Sequence, residues 1–270
     1  MLNGINLKLT DLSGIGIGCP GTLDRKREII FYAPNLGWKN VNIKEYLKSR
    51  VNIPVFIEND TNLSTLGISY FGEGKNSEIL VGVFIGTGIG GGIVINGKLF
   101  TGHSGTGGEI GHIVIDKNGT RCGCGNYGCL EATASRSAIF KNIIKELKAN
   151  TKNENHKKEL DEVKDETLFI KTNYLNKEPI TVEIVNKAAI DIGIAVSNIM
   201  NILNPDRFVF GGSLIDALGE YIIPLIKKTA LSMAMPGSKE DVRFESTVLG
   251  DTAPLLGSAA LVISNLEKGE

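Results

Sequence analysis

The sequence predicts an α/β protein built in two halves, and three features carry that expectation. In both halves, apolar runs of strand length stop at glycine turns and give way to helical patterns. Residues 79–85 (ILVGVFI) form an unbroken apolar run, the pattern of a strand covered on both faces. Residues 181–203 hold the clearest helix, with Ile184, Val185, Ala188, Ala189, Ile192, Val196, Ile199 and Leu203 at i, i+3/i+4 spacing. At 270 residues the chain can form one large or two modest domains, each with a sizeable core.

Taken in order, residues 13–18 (SGIGIG) read as a short buried strand ending at Cys19-Pro20-Gly21. Residues 28–33 form a second strand, stopped by Pro34-Asn35, and 43–50 a short helix. Residues 54–58 are a strand with Pro54 in first position, where a missing N–H is tolerated. A helix is expected over 60–73, with Asn59 or Asp60 as its N-cap. The apolar run 79–85 ends in the glycine segment 86–92. Residues 93–100 then suit a hairpin turning at Asn96-Gly97. A glycine-rich loop extends to about residue 130. Helix follows over 133–149, then ten charged residues in the sixteen of 151–166, a solvated helix or exposed insertion. Asn204-Pro205-Asp206 ends the long helix. Residues 207–210 form a strand into Gly211-Gly212-Ser213, followed by helix 215–233, a strand near 243–249 and a last helix over 255–266. The two halves suit a duplicated α/β fold, although no repeat of fixed period is visible.

Composition narrows the function classes. Lys and Arg number 29 against 30 Asp and Glu, so there is no basic surplus of the kind a dedicated nucleic-acid binder carries. No apolar run reaches the roughly 18 residues of a membrane span, and the N-terminus has no basic stretch leading into an apolar segment. A cytoplasmic protein is expected. Glycine numbers 33, about twice the usual share, and the excess clusters between Gly82 and Gly128.

Three of the four cysteines, Cys122, Cys124 and Cys129, fall within eight positions, and His112 lies ten residues before the first. Three thiolates and an imidazole complete a tetrahedral zinc site with no open position, which marks a structural rather than a catalytic ion. The bland alternative is a group of free thiols in a turn. Asp60, in Glu58-Asn59-Asp60, sits where a strand meets a helix, the end of an α/β sheet at which ligands bind. It could act as a base on a hydroxyl; taken alone it reads as a helix cap. Glu109 and Glu131 flank the cysteine loop and add carboxylates suited to a polyhydroxylated ligand. The segment Gly86-Thr87-Gly88-Ile89-Gly90-Gly91-Gly92 lets backbone N–H groups approach phosphate oxygens. It lacks the Lys-Ser/Thr pair of a P-loop, and a hairpin rather than a helix follows it. Gly211-Gly212 is a second such junction, and each alone is compatible with a plain tight turn.

Together, Gly16–Gly21, Ala33-Pro34-Asn35-Leu36, Glu58–Asn62, Gly86–Gly92, Gly107–His112, Cys122–Glu131 and Phe210-Gly211-Gly212 resemble the ROK family of bacterial sugar kinases and sugar-responsive repressors. The run Cys-Gly-Cys-Gly-x-x-Gly-Cys-x-Glu is its most specific part, and Cys129–Ser135 looks most like the glucokinase branch. The resemblance implies an actin-like (ribonuclease H-like) two-domain α/β fold. The small domain, 1–75, would be completed by a C-terminal helix, 253–270; a large domain, 76–252, would carry the zinc loop. It implies ATP- and Mg²⁺-dependent phosphorylation of a hexose, most simply glucose to glucose 6-phosphate, in a homodimer. By match, Asp60 would be the base, and Asn59, Asp60, Glu109, His112 and Glu131 would hold the sugar. Gly86–Ile93 and Gly211-Gly212 would serve ATP, and His112, Cys122, Cys124 and Cys129 would hold structural Zn²⁺. His112 could serve metal and sugar through its two ring nitrogens. One departure is that family members begin with an Asp-x-Gly-Gly-Thr hairpin, the first phosphate motif, which this chain does not contain. The N-terminal domain is therefore expected to be incomplete and this chain to be a poor catalyst. The alternative function is a non-catalytic sugar-binding protein or regulator fragment. Nothing ahead of Gly14 suits the repressors' helix-turn-helix, so nucleic acid is not expected as a partner.

Overall fold

The structure, a computed structural model, describes residues 8–24, 26–33 and 36–267. The chain forms two compact units. One holds the residues up to Gly82, Gly92–Gly108 and those from Val248 on; the other holds Val83–Gly91 and Glu109–Thr247. This division differs from the expected one chiefly in assigning 92–108 to the first unit. Pro34 and Asn35 of the Ala33–Leu36 motif, and the last three residues of the expected helix 253–270, lie outside the described residues.

The first unit opens with β1 (Ile15–Cys19), β2 (Thr22–Leu23), β3 (Ile29–Ala33) and β4 (Trp38–Asn42), then α1 (Ile43–Lys48), β5 (Val55–Asn59) and α2 (Asp60–Phe71). β1 and β5 pair in parallel, from Ile15 opposite Val55 to Cys19 opposite Asn59. β2, β3 and β4 form an antiparallel sheet. β2 and β4 were not anticipated: the first has two residues and the second, WKNVN, is largely polar. Cys19, Leu23, Ile30, Ala33, Val55 and Ile57 make the core here, with Trp38, Ile43 and Leu47 packed against it. Cys19 is thus a small buried member of that core.

β6 (Ile79–Ile85), β7 (Ile89–Ile95) and β8 (Lys98–Leu99) follow, and the unit boundaries fall within β6 and β7. β6 matches the apolar run at both ends. β7 corrects an expectation, since it starts at Ile89: only Gly86, Thr87 and Gly88 form a turn, and Gly90, Gly91 and Gly92 are strand residues. Glycine suits the strand because of close approach. A Cβ on Gly92 would sit 2.2 Å from the Thr65 hydroxyl.

The second unit continues with α3 (Leu130–Ala134), α4 (Arg136–Asn150), α5 (Glu154–Asp161), α6 (Glu166–Leu175), α7 (Pro179–Leu203), β9 (Arg207–Gly211), α8 (Ser213–Met233) and β10 (Arg243–Ser246). The helix expected over 133–149 is two helices: Ser135 leaves helical geometry and its hydroxyl accepts from the Ala138 N–H, capping α4. α7 starts at Pro179 under a Glu178 cap and stops at Asn204 in the left-handed region, φ 46°. The five-stranded order is β10-β9-β6-β7-β8, with β10 parallel to β9. Phe208 and Phe210 are fully buried and stack on Phe244 at 5.4 and 6.3 Å between ring centroids. Each such burial stabilises the fold by about 1.5–3 kcal/mol.

α9 (Ala253–Leu266) returns to the first unit and lies on α2 and β1. The contact is backbone to backbone. A Cβ on Gly257 would lie 1.8 Å from the Leu63 carbonyl oxygen, and one on Gly16 would lie 2.1 Å from that of Ser258. Packing of this kind keeps the start of α2 in place at the end of β5.

Candidate functional site

At the β5–α2 junction of the first unit, side chains do the positioning. Glu58 is buried, and its Oε1 accepts from the Asn59 N–H and from Asn62 Nδ2, both at 2.9 Å. Its Oε2 pairs with Arg27 Nε at 3.0 Å. Arg27 has a left-handed backbone, φ 57°, and donates from Nη1 to the Gly105 carbonyl at 2.9 Å. One largely buried ion pair therefore ties two separate chain segments, around Arg27 and Gly105, to the junction.

Asn59, not Asp60, is the cap of α2. Its Oδ1 accepts from the N–H groups of Thr61 (2.9 Å) and Asn62 (3.3 Å), and its Nδ2 donates to the Gly21 carbonyl. Asp60 is the first helical residue; its Oδ1 also accepts from the Thr61 N–H at 2.9 Å. Its side chain reaches solvent, yet desolvation by the surrounding protein holds the carboxyl above its ordinary pKa. The adjacent Cys19 thiol is likewise pushed up, by burial and then by the Asp60 charge. A carboxylate that is poorly solvated and spared the main capping duty is a competent proton acceptor.

The second unit holds the other expected residues. His112 Nδ1 lies 3.7 Å from Cys122 Sγ, and Cys124 Sγ lies 3.7 Å from Cys129 Sγ. The four ligand atoms are all within 4.8 Å of one another. Tetrahedral zinc with bonds of about 2.3 Å to sulfur needs sulfurs about 3.8 Å apart, so the donor set fits zinc in both type and spacing. His112 Nε2 faces the other way, 4.0 Å from Glu109 Oε2. The loop between is shaped by backbone bonds: Cys122 N–H to Asn126 O, Gly125 N–H to Cys122 O, Gly128 N–H to Thr120 O and Ile115 N–H to Gly128 O. Gly128 is obligatory, with φ 72° and the Asp116 carbonyl oxygen 1.6 Å from where a Cβ would stand. Burial pushes the Cys129 thiol up to about 12 and raises Cys122, whereas the Asn126 N–H lowers exposed Cys124.

Glu131 joins this loop to the glycine turn. Its Oε2 accepts from the Ile89 N–H at 2.9 Å, and its Oε1 lies 3.9 Å from Cys122 Sγ. A Cβ on Gly88 would collide with the same carboxylate at 2.4 Å. Gly211 and Gly212 end β9 under tight packing: Gly212 has φ 90°, and a Cβ there would meet the Ile85 backbone at 2.6 Å. Close packing alone therefore requires glycine at 212.

The sequence reading missed two cations. Arg27 showed no signal beyond its place in a turn. Arg136 opens α4 and bonds to Thr87, Glu166 and Ser213, residues 30 to 77 positions away. Neither pattern is periodic or local, so nothing in the sequence announced it.

The ROK family profile matches residues 1–265. A glucokinase of Halalkalibacterium halodurans is 33% identical over 275 residues, which span 99% of this chain and 82% of the relative. A xylose repressor of Bacillus spizizenii is also 33% identical, over 94% of this chain but 62% of its own length. Among solved structures, a ROK family glucokinase from Streptomyces griseus in complex with glucose and AMPPNP has a TM-score of 0.80 at 29% identity, with 94% of this chain and 82% of that one covered. The architecture is the actin-like α/β fold of these sugar kinases. Among the described residues, no helix is long and apolar enough to cross a membrane.

Proposed function

The chain belongs to the ROK family, and from that premise we propose that it binds a hexose, glucose in the first instance, and transfers to it the terminal phosphoryl group of ATP. The observation that carries the proposal is the β5–α2 junction: Asn59 caps the helix and leaves the under-solvated Asp60 carboxylate at its first residue. Asp60 takes the proton of the attacking sugar hydroxyl. Asn59, Glu109, His112 and Glu131 hold the remaining hydroxyls, carboxylates accepting and imidazole and amide donating. The Gly86–Gly88 turn and the start of β7, through Ile93, border the phosphates, and Gly211-Gly212 borders the adenosine. Bound ATP supplies the phosphoryl group and Mg²⁺ neutralises its charge, so the protein's task is placement and charge stabilisation. His112, Cys122, Cys124 and Cys129 hold a structural Zn²⁺. Through Nε2 of His112 and through Glu131, order in that loop reaches the sugar and the glycine turn.

The test is ADP release measured against a panel of hexoses, with zinc quantified in the same preparation. Glucose-dependent ADP release that Asp60→Asn abolishes supports the reading; hexose binding without ADP release overturns the kinase step. That second outcome would favour a sugar-binding regulator, a reading supported by the 33% identity to a xylose repressor over 94% of this chain. We take the protein to be cytoplasmic and a homodimer, with neither membrane nor nucleic acid as partner.

A further inference from the structure

The Gly86–Gly92 segment contains no cation, although the ligand proposed for it is a polyphosphate. A single side chain of the same unit brings one there. The Arg136 N–H donates to the Gly86 carbonyl at 2.9 Å. Its Nη2 donates to Thr87 Oγ1 at 3.0 Å, and its Nη1 donates to Ser213 Oγ, the residue after Gly211-Gly212, at 3.1 Å. Nη1 also reaches Thr167 Oγ1 at 3.4 Å, and Nε pairs with Glu166 Oε2 at 3.1 Å. Four of the five guanidinium N–H donors are committed by these contacts. The fifth is on Nη2, at the end of the group where the contact to Thr87 is exposed.

From this we infer that Arg136 is the residue that sets nucleotide affinity, holding the Thr87 and Ser213 hydroxyls of the two glycine junctions in one arrangement and offering its remaining N–H to a phosphate oxygen. The inference rests on the kinase reading above. Arginine suits the task because its planar fork spans two hydroxyls and a carboxylate at once, which an ammonium group cannot do. Glu166 is the counter-ion. It is further held by the Ser137 hydroxyl at 3.1 Å, so it draws the guanidinium toward α6 and competes with an incoming phosphate.

The roles of the two partners predict opposite signs, and that makes the test decisive. ADP binding is measured by titration calorimetry on the intact chain for the wild type, Arg136→Gln, Arg136→Lys and Glu166→Gln, with a melting curve for each. Arg136→Gln should weaken ADP about ten- to hundredfold, the worth of one charge-assisted hydrogen bond. Arg136→Lys should recover part of the loss, and Glu166→Gln should bind ADP as tightly as the wild type or severalfold tighter. If both Gln variants weaken ADP alike, the ion pair is only structural and the inference fails. If Arg136→Gln binds ADP like the wild type, it fails as well. A wild type that binds no ADP removes the kinase reading itself, and this inference with it; that result comes from the wild type alone and cannot be confused with the other two.

Discussion

The β5–α2 junction and the Cys/His loop each deliver polar groups proposed for one sugar, but they are ordered by different means. At the junction, Glu58 is buried against Arg27, Asn59 caps α2, and helix α9 packs backbone to backbone on α2 and β1. The arrangement is held by packing, because an apolar core lies beneath it. The loop from Glu109 to Cys129 contributes little to any core. It consists of turns closed by backbone hydrogen bonds and carries three thiols and an imidazole gathered within 4.8 Å. Ordering such a segment costs about 1–2 kcal/mol per residue in backbone entropy, and few apolar contacts are present to offset it. A metal ion at the proposed zinc site would supply what packing does not. One half of the proposed site is thus preorganised by burial, and the other is proposed to be ordered by coordination.

The sharpest test of the contrast is Asp60→Asn. Turnover should fall by about 10²–10⁴, the usual cost of losing a positioned base. The melting temperature should hold or rise, since Asn59 keeps the cap and the poorly solvated charge is gone. The pH dependence follows from the raised carboxyl pKa. The base works only when ionised, so activity should be lost as pH falls through a value above the ordinary Asp pKa. Stability runs the other way. The folded state binds the proton more tightly than the unfolded state, so this group favours folding below its unfolded pKa, and that contribution fades as pH rises through the folded one. A pH–rate profile and melting curves across pH 4–7 (roughly the window concerned) check both signs.

On the metal side, Cys124→Ala should lower zinc affinity by more than about a hundredfold, the upper range for loss of even an outer partner of a metal ligand. Hydrogen exchange should quicken across 109–131 and stay unchanged over 55–71. Equal loosening of both segments would mean that the junction is not independently ordered. Arg27→Met should cost about 3 kcal/mol in urea unfolding, because it leaves the buried Glu58 carboxylate uncompensated. The double variant Arg27→Met/Glu58→Gln should recover much of that. The smallest effect is expected from Ser135→Ala, about 1 kcal/mol for loss of the α4 cap, with zinc content unchanged.

Legibility in the sequence followed the range of the interaction. β6 was readable to the residue because six apolar side chains interrupted only by Gly82 leave no alternative, and α7 because its apolar stripe runs for more than five turns. The break at Ser135 was missed since a single capping hydroxyl does not interrupt a helical pattern. The start of β7 was missed because glycine has no side chain to show alternation, and the reason for glycine at 92 is a hydroxyl on α2, 27 positions earlier. The motif residues of both proposed half-sites could be named from their resemblance to the family's motifs. That Asn59, rather than Asp60, carries the cap could not, since either residue type suits the position.

Residue type and local spacing carried the α/β class and the donor set for a metal, and the motifs that resemble the family carried the family and the candidate base. These rest on hydrophobic periodicity and on chemistry confined to a few neighbouring positions. Tertiary structure alone decided that Asp60 is under-solvated, that Arg27 anchors Glu58 from 31 positions away, and that Arg136 links two glycine junctions. The physical reason is the same in each case. Desolvation, ion pairing and close backbone approach depend on which segments meet in space, and a linear pattern does not record that.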